Sequence, residues 1–151
     1  MKWSHRLVYR AMRVWWAIRR PLTMGAFVIL VRGGEVLLVR TTYHRTWSLP
    51  GGGVQRGETL EQAARREAAE EVGATLGELK LLGVYSSFRE GKSDHVTVFT
   101  CEDGEATLRG DHEIEAARWF PLDALPPDVA PGTARRVGEF VDGRRSVVGR
   151  W

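Results

Sequence analysis

The chain has 151 residues, 43% of them hydrophobic and 27% charged, with a formal net charge of +3; this is enough for one domain with a real core, and its composition is that of an ordinary globular protein. No apolar run approaches the ~20 residues that a membrane-spanning helix needs. Cys101 is the only cysteine, which excludes an intrachain disulfide and points to a reducing, cytoplasmic compartment.

The charge is unevenly placed. Lys2, Arg6, Arg10, Arg13, Arg19 and Arg20 precede Pro21 with no acid among them, so removing these six takes the net charge from +3 to −3. An anionic partner would meet that end of the chain. Within residues 2–20, Trp3, Leu7, Ala11, Val14 and Ile18 recur at helical spacing, with Lys2, Arg6, Arg13 and Arg20 on the other side. This predicts an amphipathic helix that Pro21 stops. It has two readings: docking on the domain or a second subunit through the apolar stripe, or resting weakly on an anionic membrane surface. Arginines interrupt every apolar stretch, which argues against a secretory signal.

From Gly25 the pattern becomes that of strands. Ala26–Val31 and Val36–Arg40 are β-branched and aliphatic, joined at Gly33-Gly34 as a hairpin. A polar loop, Thr41–Ser48, leads to Leu49-Pro50 and the glycines 51–53, read as a turn. A helix over Leu60–Val72 follows, with Thr59 as N-cap, Gln62 completing a capping box and Gly73 ending it. Strands are expected at Lys80–Phe88, His95–Cys101 and Ala116–Phe120, and a second helix at Gly132–Val141. No element is assigned after Val141. Strands with two such helices predict an α+β layered domain.

The chemistry concentrates on the first helix. Glu67, Glu70 and Glu71, three and four residues apart, share one helical face. Leu60, Ala63, Ala64, Glu67, Glu71 and Ala74 form one stripe, so the glutamates continue the apolar side rather than a solvated one. Carboxylates turned inward repel each other and lose hydration. Arg66 offsets part of this, and a divalent cation that prefers oxygen would offset the rest. Gly51 and Gly52 permit a close approach of backbone to a ligand.

These residues resemble the Nudix box, G-x5-E-x7-R-E-U-x-E-E-x-G-U with U a bulky aliphatic. Gly52, Glu58, Arg66, Glu67, Glu70, Glu71 and Gly73 match every fixed position; Ala68 and Ala74 depart from it, being small where the family has Leu, Ile or Val. Trp47–Gly52 is similar to the family's lead-in, and Ala117–Leu122 to a late strand, so the resemblance covers residues 22–141. It implies a Nudix-type α/β/α sandwich with a mixed sheet, preceded by the helix of residues 1–20 and followed by a tail, 142–151.

The same resemblance implies a pyrophosphohydrolase that cuts a diphosphate linkage by water attack on phosphorus, using Mg²⁺ or Mn²⁺ bound by Glu67, Glu70 and Glu71. Glu67, Glu70, Arg66 and Glu58 would form the catalytic set, with Arg66 and Glu58 orienting the others. Some members take a glutamate from outside the box; Glu113, ahead of Glu115, is the candidate here and would join the metal ligands.

Arg40, Gly51 and Gly52 are the candidate substrate contacts, and Tyr43, His44, Arg45 and Trp47 are available to a base or sugar. The proline of an ADP-ribose-cleaving branch and the tyrosine of a diadenosine-polyphosphate branch are absent from Ser87–Glu90 and beyond. The expected substrate is a small nucleoside diphosphate derivative or nucleoside triphosphate, with no nucleic-acid partner and with a homodimer as one assembly. A catalytically silent ligand-sensing module on this fold is the alternative, but it should show eroded glutamates. An isoprenoid-diphosphate isomerase would need a catalytic cysteine setting that Cys101 lacks.

Overall fold

The computed structural model describes residues 14–15, 22–89, 92–109 and 112–151. The helix expected over residues 2–20 therefore lies outside the described residues, apart from Val14 and Trp15, which are helical and more than half exposed.

Among the described residues a seven-stranded mixed sheet forms the middle layer. Its strands are β1 (Leu22–Arg32), β2 (Glu35–Thr41), β3 (Gly51–Gly53), β5 (Lys80–Ser87), β6 (Ser93–Cys101), β8 (Ile114–Pro121) and β9 (Val147–Arg150). The order is β8-β2-β1-β6-β5-β9, with β3 also beside β1. A two-stranded ladder, β4 (Ala74–Thr75) with β7 (Glu105–Ala106), lies apart.

β1 organises the sheet. One edge runs parallel to β6 from Leu22↔Ser93 to Leu30↔Cys101. The other edge is divided: Val31 and Arg32 pair with β2, and Gly25–Phe27 pair with β3. The hairpin between β1 and β2 turns on Gly33 and Gly34, both at positive φ (58° and 81°), as its two-residue turn requires.

Two helices cover opposite faces. Helix α1 (Leu60–Val72) packs Ala63, Ala64, Ala68 and Val72 against Ala26, Val28, Leu30, Leu37 and Val39. Helix α2 (Pro131–Val141) places Val137 with Ile29, Val31, Val36, Leu38 and Tyr85. The alternation along β1, even-numbered residues toward α1 and odd-numbered toward α2, follows from the period of two. Ala68 and Ala74, the departures from the family pattern, are buried at 0% and 6% exposure, so their small size brings α1 close to the sheet.

The ends of α1 are fixed as expected. Thr59 Oγ1 accepts from Gln62 N at 3.1 Å while Gln62 Oε1 accepts from Thr59 N at 2.8 Å, a cap worth about 1 kcal/mol. Gly73 closes the helix at φ 59°, where a Cβ would strike Thr107 Oγ1.

Three differences from the sequence reading stand out. The glycines 51–53, expected as a turn, form β3, because pairing with Gly25–Phe27 overrides the poor strand propensity of glycine. β6 begins at Ser93, two residues before the expected His95. Residues 147–150, left unassigned, add an edge strand parallel to β5.

Candidate active site

The box is a strand, a loop and a helix folded into contact. Gly51 lies at φ 142°, and a Cβ there would overlap the Ala26 carbonyl and sit 2.6 Å from Phe27 Cα. Its N–H donates to Glu71 Oε2 at 2.8 Å. A Cβ on Gly52 would lie 2.7 Å from Glu67 Cδ. Both glycines are thus required by close approach: one admits the strand and the other admits a carboxylate.

Arg66 is the hub. Its Nε and Nη2 donate to Glu58 Oε1 and Oε2 at 2.6 and 3.0 Å, a bidentate pair. Its Nη1 donates to Glu67 Oε1 at 2.7 Å and to Glu70 Oε2 at 3.3 Å, and Nη2 also reaches the Gly53 carbonyl at 3.0 Å. Glu58 takes a further bond from Gln55 N at 2.9 Å. The Arg66 hydrogen bonds, then the Gln55 amide, hold the Glu58 carboxyl down to about 2. Glu58 and Glu67 in turn push Arg66 above its ordinary value. One guanidinium therefore faces three carboxylates, while Glu71 of the same helix accepts from the glycine strand.

The trio is not uniformly inward. Glu71 is buried at 9% exposure and the Glu67 side chain at 18%, but that of Glu70 is 52% exposed. Glu70 lies toward the rim because it sits off the stripe that carries Glu67 and Glu71.

The donor chemistry fits a hard divalent cation. Arg66 uses one oxygen of Glu67 and one of Glu70, Glu71 lies alongside, and the carboxylates and glycine carbonyls offer oxygen without thiolate or imidazole. Among the described residues no three His, Cys, Asp or Glu side chains already converge as a cage.

The remaining candidates are carried by β2, β6, the loop after β2 and the approach to β8. Glu113 is exposed on the approach to β8, and its carbonyl accepts from Thr42 N at 2.9 Å. Arg40 points to the α2 side of β2, where it pairs with Glu115 Oε2 at 3.0 Å and Asp128 Oδ2 at 3.8 Å and lies 4.9 Å over the Trp47 ring. Trp47 is 4% exposed and packs edge-on to Phe120, a core role, while Tyr43 is 65% exposed. Cys101 is buried, and burial pushes its thiol up, which suits a core position and not a nucleophile. Sequence reasoning passed over Phe27, the register partner of Gly51.

A family model described as the NUDIX domain matches residues 19–140. The chain is 32% identical over 126 residues to a putative 8-oxo-dGTP diphosphatase of Bacillus subtilis, covering 83% of this chain and 84% of that one. It is 35% identical over 134 residues to the NAD-capped RNA hydrolase NudC of Pseudomonas aeruginosa, where the match spans 83% of this chain but only 46% of that protein. Among solved structures, a MutT NUDIX hydrolase from Burkholderia pseudomallei superposes with a TM-score of 0.71 at 28% identity, over 79% of this chain and 98% of that one. The chain belongs to the Nudix hydrolase family and is an enzyme of its pyrophosphohydrolase class.

Proposed function

We propose that the protein hydrolyses a diphosphate linkage in a nucleoside triphosphate or a nucleoside diphosphate derivative, with Mg²⁺ or Mn²⁺ held by Glu67, Glu70 and Glu71. The observation that carries this reading is the contact between the glycine strand and α1. It sets Glu71 on Gly51 N at 2.8 Å and leaves room for Glu67 only because residue 52 has no side chain. When bound, the divalent ion supplies positive charge against the diphosphate oxygens and the attacking water.

The chain's own residues do the rest. Arg66, fixed by Glu58 on two bonds, holds Glu67 and Glu70 in orientation. Glu67 and Glu70 are the candidates to take the proton as water attacks phosphorus, and Glu113 is the proposed further ligand from outside the box. Gly51 and Gly52 let the diphosphate approach the backbone, and Arg40 is proposed to contact the substrate. The catalytic unit is residues 22–141; residues 1–20 are an appended segment with no part in bond cleavage.

The relative named as an 8-oxo-dGTP diphosphatase supports a nucleotide substrate, since the match spans 84% of its length. A cytoplasmic site of action accords with this, and among the described residues no helix is long and apolar enough to cross a membrane. The test is a panel of nucleoside triphosphates, nucleoside diphosphate sugars and dinucleotides assayed with Mg²⁺ and with Mn²⁺. Cleavage of at least one class at a phosphorus anhydride supports the reading, and no release from any of them contradicts it.

A further inference from the structure

Residues 147–151 lie beyond the family match and carry a built aromatic wall beside the glycine strand. Phe27 is half-buried on the α2 face, where its neighbour Ile29 is fully buried, so burial on that face falls off at Phe27. Phe27 is also the register partner of Gly51, and its Cδ1 would lie 2.8 Å from a Cβ there. The Trp151 ring stands 6.0 Å from that of Phe27, tilted by 34°, and is itself only half-buried. An indole one ring away from the glycine strand, with part of its surface open, is a stacking surface.

The indole is held firmly. Trp151 N donates to Ser86 O at 3.1 Å, and β9 pairs with β5 from Gly83↔Val147 to Ser86↔Arg150. Buried Arg136, 3% exposed, donates through Nη1 to Arg150 O at 3.0 Å and stacks 3.8 Å over Tyr85. Gly132 forms the floor, where a Cβ would lie 2.5 Å from Trp151 Nε1.

We propose that Trp151, with Phe27, is the specificity-determining surface on which the planar base of the nucleotide substrate stacks while its diphosphate lies at Gly51 and Gly52. This rests on the diphosphate-hydrolysis reading and names the part of the substrate that reading leaves open. The ring contributes to binding and discrimination, and the bond-breaking groups remain those of α1.

The test uses the full chain and does not depend on turnover. Isothermal titration would compare dGMP with deoxyribose 5-phosphate, which lacks the base. The wild-type protein is expected to bind dGMP about tenfold or more tighter, the order that aromatic stacking of a base supplies. Trp151→Leu, which fills the space without a π face, should erase that preference, and Trp151→Phe should keep most of it. If Trp151→Leu melts too low to assay, Gly132→Ala decides, because its methyl group displaces the indole and should cut the preference severalfold. No base preference in the wild type, or a preference unchanged in Trp151→Leu or Gly132→Ala, overturns the inference. A protein that cleaves diphosphates but ignores the base refutes this inference alone, whereas one that binds the base through Trp151 and cleaves none of the panel refutes the hydrolysis reading alone.

Discussion

Arg66 grips Glu58 with two parallel hydrogen bonds of 2.6 and 3.0 Å across eight residues of sequence, and this pairing ties the loop before α1 to the helix. It also makes acid stability readable. The Glu58 carboxyl sits at about 2, below its ordinary 4.5, so the charged form is favoured by folding. Its contribution is complete above about 4.5 and fades as pH falls from there toward about 2. Glu58→Gln should therefore melt lower than wild type at pH 7, and the gap should narrow as melts are taken down to pH 3. A gap that stays constant over that range would show that the ionised pair contributes nothing.

Gly52 separates the chemistry from the fold. A methyl group at this position would lie 2.7 Å from the Glu67 carboxylate, which is the far end of a flexible side chain. Gly52→Ala should keep its melting temperature within a few degrees, since the carboxylate swings aside. Turnover should fall about tenfold or more because Glu67 no longer rests on the strand. Normal kcat in this variant would show that the placement of Glu67 is not required.

Replacing Glu70 or Glu71 with glutamine keeps shape and removes charge. Each is expected to reduce kcat by ~10²-fold or more with a folded protein by circular dichroism. The two should differ in stability: Glu71 is buried on Gly51 N, while the Glu70 side chain is 52% exposed. Glu71→Gln should thus shift the melt more than Glu70→Gln. Near-normal turnover in both variants would remove these carboxylates from the site.

What was legible in the sequence was the part set by local rules. The spacing of Arg66, Glu67, Glu70 and Glu71 reads directly as a group of neighbours, because a capped helix places residues at fixed angles; Glu58, ahead of the N-cap, was reached through the family resemblance. Thr59, Gln62 and Gly73 announce its two ends, and the structure bears out both. The strand and helix patterns gave a layered α+β domain, and the resemblance to the family added the sandwich with its mixed sheet, in agreement with the solved relatives. What was not legible depends on long-range contacts. β3 exists because Gly51–Gly53 find Gly25–Phe27, which no property of three glycines announces. β9 is four residues long with exposed Val148, so it shows no period, and the burial of Arg136 beneath Trp151 has no local signature. Treating the glutamates as one inward trio was too coarse: the stripe contains Glu67 and Glu71 but not Glu70, whose side chain is 52% exposed.

The most direct measurement of the central claim is hydrolysis of a cleaved diphosphate substrate by protein stripped with a chelator and then given back Mg²⁺ or Mn²⁺. The oxygen donors of Glu67, Glu70 and Glu71 around Arg66 predict loss of turnover on stripping and its recovery with either ion. Full activity in excess chelator would contradict the account.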